Sequence, residues 1–152
     1  MFSTFDVKNG FWHIELDDES SKLTTFNTPF GRYRRLRLPF GLSSAPEEFQ
    51  RRQHQVVEGI PEVLTTHDDI LLYGEGNTYE EAHRDHDEKL KKLMLRCQER
   101  NVKLNKDKMK LRYSEVPYVG HLLTDKGLKP DPDKIRAMQE MPKPKTRPGS
   151  KD

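Results

Sequence analysis

The chain has 152 residues, a hydrophobic fraction of 32%, a charged fraction of 34% and a mean hydropathy of −0.97. That length allows one domain with room for the start of a second, and that polarity leaves a marginal core, as in a domain that packs against neighbours. Lys and Arg number 27 against 25 Asp and Glu, and the resulting net charge of +2 excludes a histone-like binder working by bulk positive charge. The charge is uneven, acidic over Glu15–Glu19 and rich in Lys and Arg from Lys89 to Arg112. A single cysteine, Cys97, rules out an internal disulfide and a cysteine-based zinc site, so an intracellular protein is expected. No apolar run approaches the ~20 residues that span a bilayer. The N-terminal MFSTFDV lacks the basic and then apolar order of a secretory leader. Met1 is followed at once by what reads as a buried strand, so the chain is expected to start as a truncation.

Phe2 to Val7 reads as a short strand ended by the turn pair Asn9-Gly10. Leu23 to Phe26 and Tyr33 to Leu38 are further strand candidates around a Pro29-Phe30-Gly31 turn. A helix is then expected from Ser43 or Ser44 as N-cap to about Glu58, with Pro46 in its first turn, Glu47 and Glu48 at its positive end, and Gly59 and Pro61 stopping it. Val63-Leu64 and Ile70 to Tyr73 flank Thr65-Thr66-His67-Asp68-Asp69, a pattern that predicts a hairpin with carboxylates at its tip. Thr78 and Glu81 make a capping box, and Leu90, Leu93, Met94 and Cys97 recur at helical spacing behind it. Val102 to Leu104, Met109 to Leu111 and Val116 to Leu123 are short strand candidates. Pro130-Asp131-Pro132 announces a helix from about Asp133 to Glu140, and the polar tail from Pro142 to Asp152 is expected to be disordered. Short strands mixed with two long helices argue for an α+β fold.

The chemically loaded feature is Asp68-Asp69 between two apolar strands. Adjacent carboxylates repel, and a hard cation such as Mg²⁺ relieves that repulsion while accepting substrate phosphates. A second strand ends in Phe5-Asp6, and three carboxylates from neighbouring strands would hold two metal ions about 4 Å apart, the clamp for in-line phosphoryl transfer. The competing reading is ordinary turn chemistry, in which Asp caps backbone groups. His83 and His86, three apart on one helix, are the other candidate metal pair. No third ligand is evident near them, and they fall on the stripe leading to Leu90, so packing is the expected role.

The run FSTFDVKNGFWHIELDDESSKLTTFNTPFGRYRRLRLPFGLSSAPEEFQ resembles motifs A to B of gypsy-type reverse transcriptases. DDILLYG resembles their catalytic doublet, HDEKLKKLMLRCQERNVKLNKDKMKL the helix and motif D that follow, and VPYVGHLLTDKGLKPDPDKIRAM the primer-grip hairpin and the opening of the thumb. The resemblance implies a polymerase palm, an antiparallel sheet backed by two long helices, over residues 1–126, with the thumb beginning at 127–141. It implies RNA-directed DNA polymerisation by two Mg²⁺ (or Mn²⁺) ions, with Asp6, Asp68 and Asp69 as metal ligands. Phe11 matches the gate that excludes a ribose 2′-hydroxyl, a task that needs volume. Phe40 and Gln50 match positions lining the nucleotide or template, Lys108 the lysine that protonates pyrophosphate, and Val119-Gly120 the stretch that holds the primer end.

Taken alone, Phe11 and Phe40 read as core aromatics, Gln50 as a helix-surface residue, Lys108 as a solvated lysine and Gly120 as a strand glycine. Implied partners are an RNA or DNA template-primer, a deoxynucleoside triphosphate and the fingers, thumb, ribonuclease H and integrase parts of a polyprotein. No membrane is implied. The chain departs from the family pattern at Thr66 and His67, just before the doublet, where a cationic imidazole would weaken metal binding. The alternative function is an inactive remnant that binds nucleic acid weakly and without sequence preference. An unrelated base-stacking α+β domain is the third reading.

Overall fold

Alternating exposure along Phe2–Asp6 (β1), with Ser3 and Phe5 buried, is what one covered sheet face produces. A computed structural model of the chain describes residues 1–142, so all but the first residue of the expected tail lies outside the described residues. These residues form two compact units, Met1–Ser114 and Glu115 onward.

In the first unit β1 lies between Asp69–Tyr73 (β5) and Lys110–Tyr113 (β6), with Val63–Thr66 (β4) beyond β5, giving the antiparallel order β4-β5-β1-β6. Two helices back this sheet, Ala45–Val57 (α2) and Tyr79–Glu99 (α3), the arrangement expected of a palm. Phe49 and Val56 of α2 and Leu93 and Cys97 of α3 pack with Phe5, Val63, Ile70 and Leu72 into one core. Pro46 sits in the first turn of α2. Thr78 and Glu81 close a capping box on α3, with Glu81 N–H donating to Thr78 Oγ1 over 3.2 Å.

Several expected elements are placed differently. Asp18–Leu23 is a helix (α1), its first turn capped by Asp17, which accepts from Ser20 N–H over 2.7 Å. Leu23 to Phe26 is therefore not a strand: pairing begins with Phe26–Thr28 (β2) against Gly31–Tyr33 (β3). Past Tyr33 the expected strand gives way to a loop that meets the residues before α1 at a lone bridge between Glu15 and Arg37. Val102 to Leu104 likewise makes only a bridge, Leu104 to Val7. A 3-10 turn over Lys106–Lys108 then shifts the chain before β6 pairs with β1.

The second unit is a meander of Glu115–Tyr118 (β7), His121–Thr124 (β8) and Gly127–Pro130 (β9), followed by Pro132–Glu140 (α4). The strand candidate read from the residues over Val116 to Leu123 is thus split in two, and the pair forms the hairpin that the resemblance implied there. Its turn is Val119-Gly120, with φ of 48° and 77°, the left-handed pair that a two-residue hairpin turn demands. Asp131 caps α4, accepting from Asp133 N–H over 3.0 Å, and Pro132 fills its first position.

Candidate active site

Sheet register builds the site. Asp6 and Asp69 are directly opposed on β1 and β5, and Phe5 opposes Ile70 one step back. Phe5 and Ile70 belong to the core under α2 and α3, so strict alternation sends Asp6 and Asp69 to the other face of the sheet. Asp68 follows His67 in the two-residue turn between Thr66 and Asp69, which are themselves paired. The turn is tied to β1 as well: Val7 N–H donates to the Asp68 carbonyl over 2.7 Å.

Asp68 and Asp69 both feel the charge of Asp6. Partial burial raises Asp68 above the ordinary carboxylate value, and the charges of Asp6 and Asp69 add to the effect. Asp69 is raised by burial and then by Asp6. The charges of His67 and Lys108 offset part of this, and Lys108 Nζ lies 2.9 Å from Asp6 Oδ2, a contact that raises the lysine above its usual value. The Lys106–Lys108 turn that delivers the lysine is held to the same aspartate, since Asn105 N–H donates to the Asp6 carbonyl over 2.8 Å and its Nδ2 donates to Asp6 Oδ1 over 3.4 Å. Asn105 was not singled out in the sequence. The available signal was an Asn opening a short Lys-Asp-Lys turn, where its side chain accepts from Asp107 N–H over 3.2 Å.

Three carboxylates against one ammonium form an all-oxygen donor set with excess negative charge, which fits a hard divalent cation. Among the described residues, however, no three His, Cys, Asp or Glu side chains stand close enough to hold a metal ion together. Asp6 is turned instead to Lys108, its counter-ion here.

Phe11 sits in a 3-10 turn, Gly10–His13, set off by Asn9 in the left-handed region at φ 55°. Its ring stacks on Phe49 with centroids 4.8 Å apart and meets Phe40, tilted, at the same distance. Phe49 is buried whereas Phe40 is 67% exposed, so Phe11 bridges core and surface. Gly10 makes this packing possible: a Cβ there would lie 2.4 Å from Phe49 Cζ.

Gln50 turns its amide onto the doublet's hairpin. Its Nε2 donates to the Thr65 carbonyl over 3.0 Å, and its Oε1 accepts from His67 N–H over 2.7 Å. His67 holds φ 53°, a region unfavourable for a side chain with a Cβ, and this bond helps fix it. Val119 and Gly120 belong to the second unit.

His83 and His86 diverge. His86 is fully buried, its Nε2 2.7 Å from Ser3 Oγ and its Nδ1 3.1 Å from Asp87 Oδ1, while His83 lies partly exposed beside the Tyr79 ring. Both have packing or hydrogen-bonding partners, as expected of a packed pair.

Residues 1–123 match the family described as reverse transcriptase (RNA-dependent DNA polymerase). The chain is 38% identical over 145 residues to the retrovirus-related Pol polyprotein from transposon 412 of Drosophila melanogaster, covering 94% of this chain and 11% of that protein. It is 32% identical over 146 residues to the Pol polyprotein from transposon gypsy of the same fly, covering 94% and 13%. The chain therefore spans about an eighth of the length of such curated relatives. Among solved structures, a foamy viral protease-reverse transcriptase in complex with RNA/DNA hybrid superposes with a TM-score of 0.80 at 25% identity, over 94% of this chain and 19% of that one. A foamy viral protease-reverse transcriptase dRH in complex with double-stranded DNA gives a TM-score of 0.83 at 24% identity, covering 94% of this chain and 24% of that one.

Proposed function

The chain belongs to the reverse transcriptase family as found in gypsy-like elements, and on that premise we propose that it carries the catalytic carboxylates of an RNA-directed DNA polymerase. The observation that carries this reading is the pairing of Asp6 with Asp69 on adjacent strands, with Asp68 in the turn beside them and its carboxyl raised partly by both. In this reading a primer 3′-hydroxyl oxygen gives its proton to solvent and bonds to the α-phosphorus of a deoxynucleoside triphosphate, and the bond to pyrophosphate breaks. Asp6, Asp68 and Asp69 would hold two Mg²⁺ or Mn²⁺ ions, which when bound acidify the attacking hydroxyl and neutralise charge on the phosphates.

The chain's own groups then have separate tasks. Lys108 carries the proton that the departing pyrophosphate takes up. Phe11, braced by Phe49, fills the space a ribose 2′-hydroxyl would need, and exposed Phe40 lies against the nucleotide or template. Gln50 serves the same centre by holding the backbone of the hairpin. Val119 and Gly120 offer a tight turn to the primer end. We assign residues 1–126 to the palm and 127–141 to the start of the thumb. Template-primer and deoxynucleotide are the partners, with fingers, the rest of the thumb, ribonuclease H and integrase supplied by a longer polyprotein.

The test is primer extension on an RNA template with Mg²⁺ or Mn²⁺, run beside Asp68→Asn. Extension that disappears in the variant supports the assignment. Extension that persists undiminished in the variant removes Asp68 from the reaction.

A further inference from the structure

A second concave site lies on the first unit and shares no residue with the carboxylate centre. It is a cavity of about 610 Å³ between the segment after motif A, α2 and the C-terminal end of α3. That size falls in the range of small-ligand sites, roughly 300–1,000 Å³. Its lining has three tiers. Ile14, Val56 and Val102 give an apolar base. Gln55 and Asn101 supply neutral amides, and Arg37, Arg52 and Arg100 supply guanidiniums from three different parts of the chain against one lining carboxylate, Glu15.

The charge there is not internally balanced. Arg37 is paired with Glu15 at 2.7 Å. Arg52 shares one carboxylate, Glu48, with Arg51. Arg100 has no carboxylate partner among the described residues. His13, on the cavity wall, is pushed below the ordinary imidazole value by burial and then by the charges of Lys103 and Arg37, which favours its neutral form, so the surplus rests on the arginines. A concave surface with surplus positive charge concentrates anions, and planar guanidiniums suit phosphate oxygens two at a time.

We propose that this cavity binds phosphate groups. The ligand class is a polyphosphate ester, and it has two possible sources: a free nucleoside di- or triphosphate, or the backbone of a nucleic-acid strand. In either case Arg100 is the first contact, because it gives up no existing ion pair, and Arg52 is the second, because Glu48 keeps Arg51.

The experiment uses the 152-residue chain in excess chelator, so that the carboxylate centre cannot hold a metal-bound nucleotide. Two probes are titrated, inorganic tripolyphosphate by calorimetry and a labelled single-stranded oligonucleotide by anisotropy. The proteins are wild type, Arg52→Gln/Arg100→Gln, Arg100→Gln alone, and Lys91→Gln as a charge-matched control on exposed α3 surface. Thermal melts confirm that each is folded. The single Arg100 variant serves if the double one melts early. The expected result is binding at least tenfold weaker in the double variant, several-fold weaker in Arg100→Gln and unchanged in Lys91→Gln. Weakening with both probes identifies free and strand phosphates alike as ligands, and weakening with the oligonucleotide alone identifies the strand. Equal affinity in wild type and both arginine variants, or no binding of either probe to wild type, overturns the proposal.

Discussion

Replacing Gln50 by Ala tests what holds the Asp68-Asp69 hairpin against α2. The amide makes two hydrogen bonds to hairpin backbone, 3.0 Å to the Thr65 carbonyl and 2.7 Å from His67 N–H. At roughly 1 kcal/mol net for each bond, their loss costs about 2 kcal/mol. Two effects reduce that figure. Ala favours a helix interior by a few tenths of a kcal/mol over Gln, and water can reach the exposed His67 backbone. A destabilisation of about 1–2 kcal/mol remains, read as a lower urea midpoint at unchanged slope. The local signature matters more, since the His67 amide should lose protection in hydrogen exchange while amides of β1 keep theirs. Gln50→Glu separates the two bonds: its carboxylate still accepts from His67 N–H but faces the Thr65 carbonyl without a donor. It also adds a negative charge near the hairpin, so it should be no more stable than Ala. Unchanged midpoint and unchanged His67 exchange in Gln50→Ala would refute the clamp and leave Gln50 as a direct substrate contact.

Three further outcomes follow from the same geometry. Mg²⁺ or Mn²⁺ should raise the thermal midpoint of wild type, with about 2.7 kcal/mol of stabilisation at 100 times Kd, and Asp6→Asn or Asp68→Asn should abolish the rise. In chelator, the raised Asp68 and Asp69 contribute stability that is fully present below the ordinary value of 3.8 and lost as pH rises through their folded values. Asp68→Asn/Asp69→Asn should therefore flatten the decline in stability above that pH, as measured by denaturation at several pH values, and an unchanged slope would contradict it. Gly10→Ala should cost about 1–3 kcal/mol by calorimetry, because its Cβ would sit 2.4 Å from the buried Phe49 ring.

How much of this was legible in the sequence depended on whether an element signals through its own residues. Helix α3 announces itself by the Thr78–Glu81 capping box and an apolar repeat that ends in buried Leu93 and Cys97. The doublet is visible because apolar strands flank it. Helix α1 is the opposite case: six residues long, it buries only Ser21, so there is no apolar stripe to read, and its capping residue Asp17 is masked by the acidic run around it. The Val102 to Leu104 segment is strand-like in composition, but a strand needs a partner over several residues, and the 3-10 turn breaks that register after one bridge.

The site itself was half legible for the same reason. The residue types at 6, 68 and 69 are readable one by one, but the contacts that organise them join distant positions. Lys108 reaches Asp6 across 102 residues, and Gln50 reaches His67 across 17. What links these facts is the alternation of β1 and β5. One face of the two strands supplies Phe5, Ile70 and Leu72 to the core, and the other presents Asp6 opposite Asp69. A like-charged pair directly across a sheet is unfavourable, yet here it costs the core nothing, because the apolar packing lies on the opposite side. The fold can therefore carry mutually repelling carboxylates and leave their charge for a cation or Lys108 to balance. Substitutions that neutralise them should then be separable from folding, whereas a one-residue slip of β1 against β5 would bury Asp6 and expose Phe5, losing fold and site together.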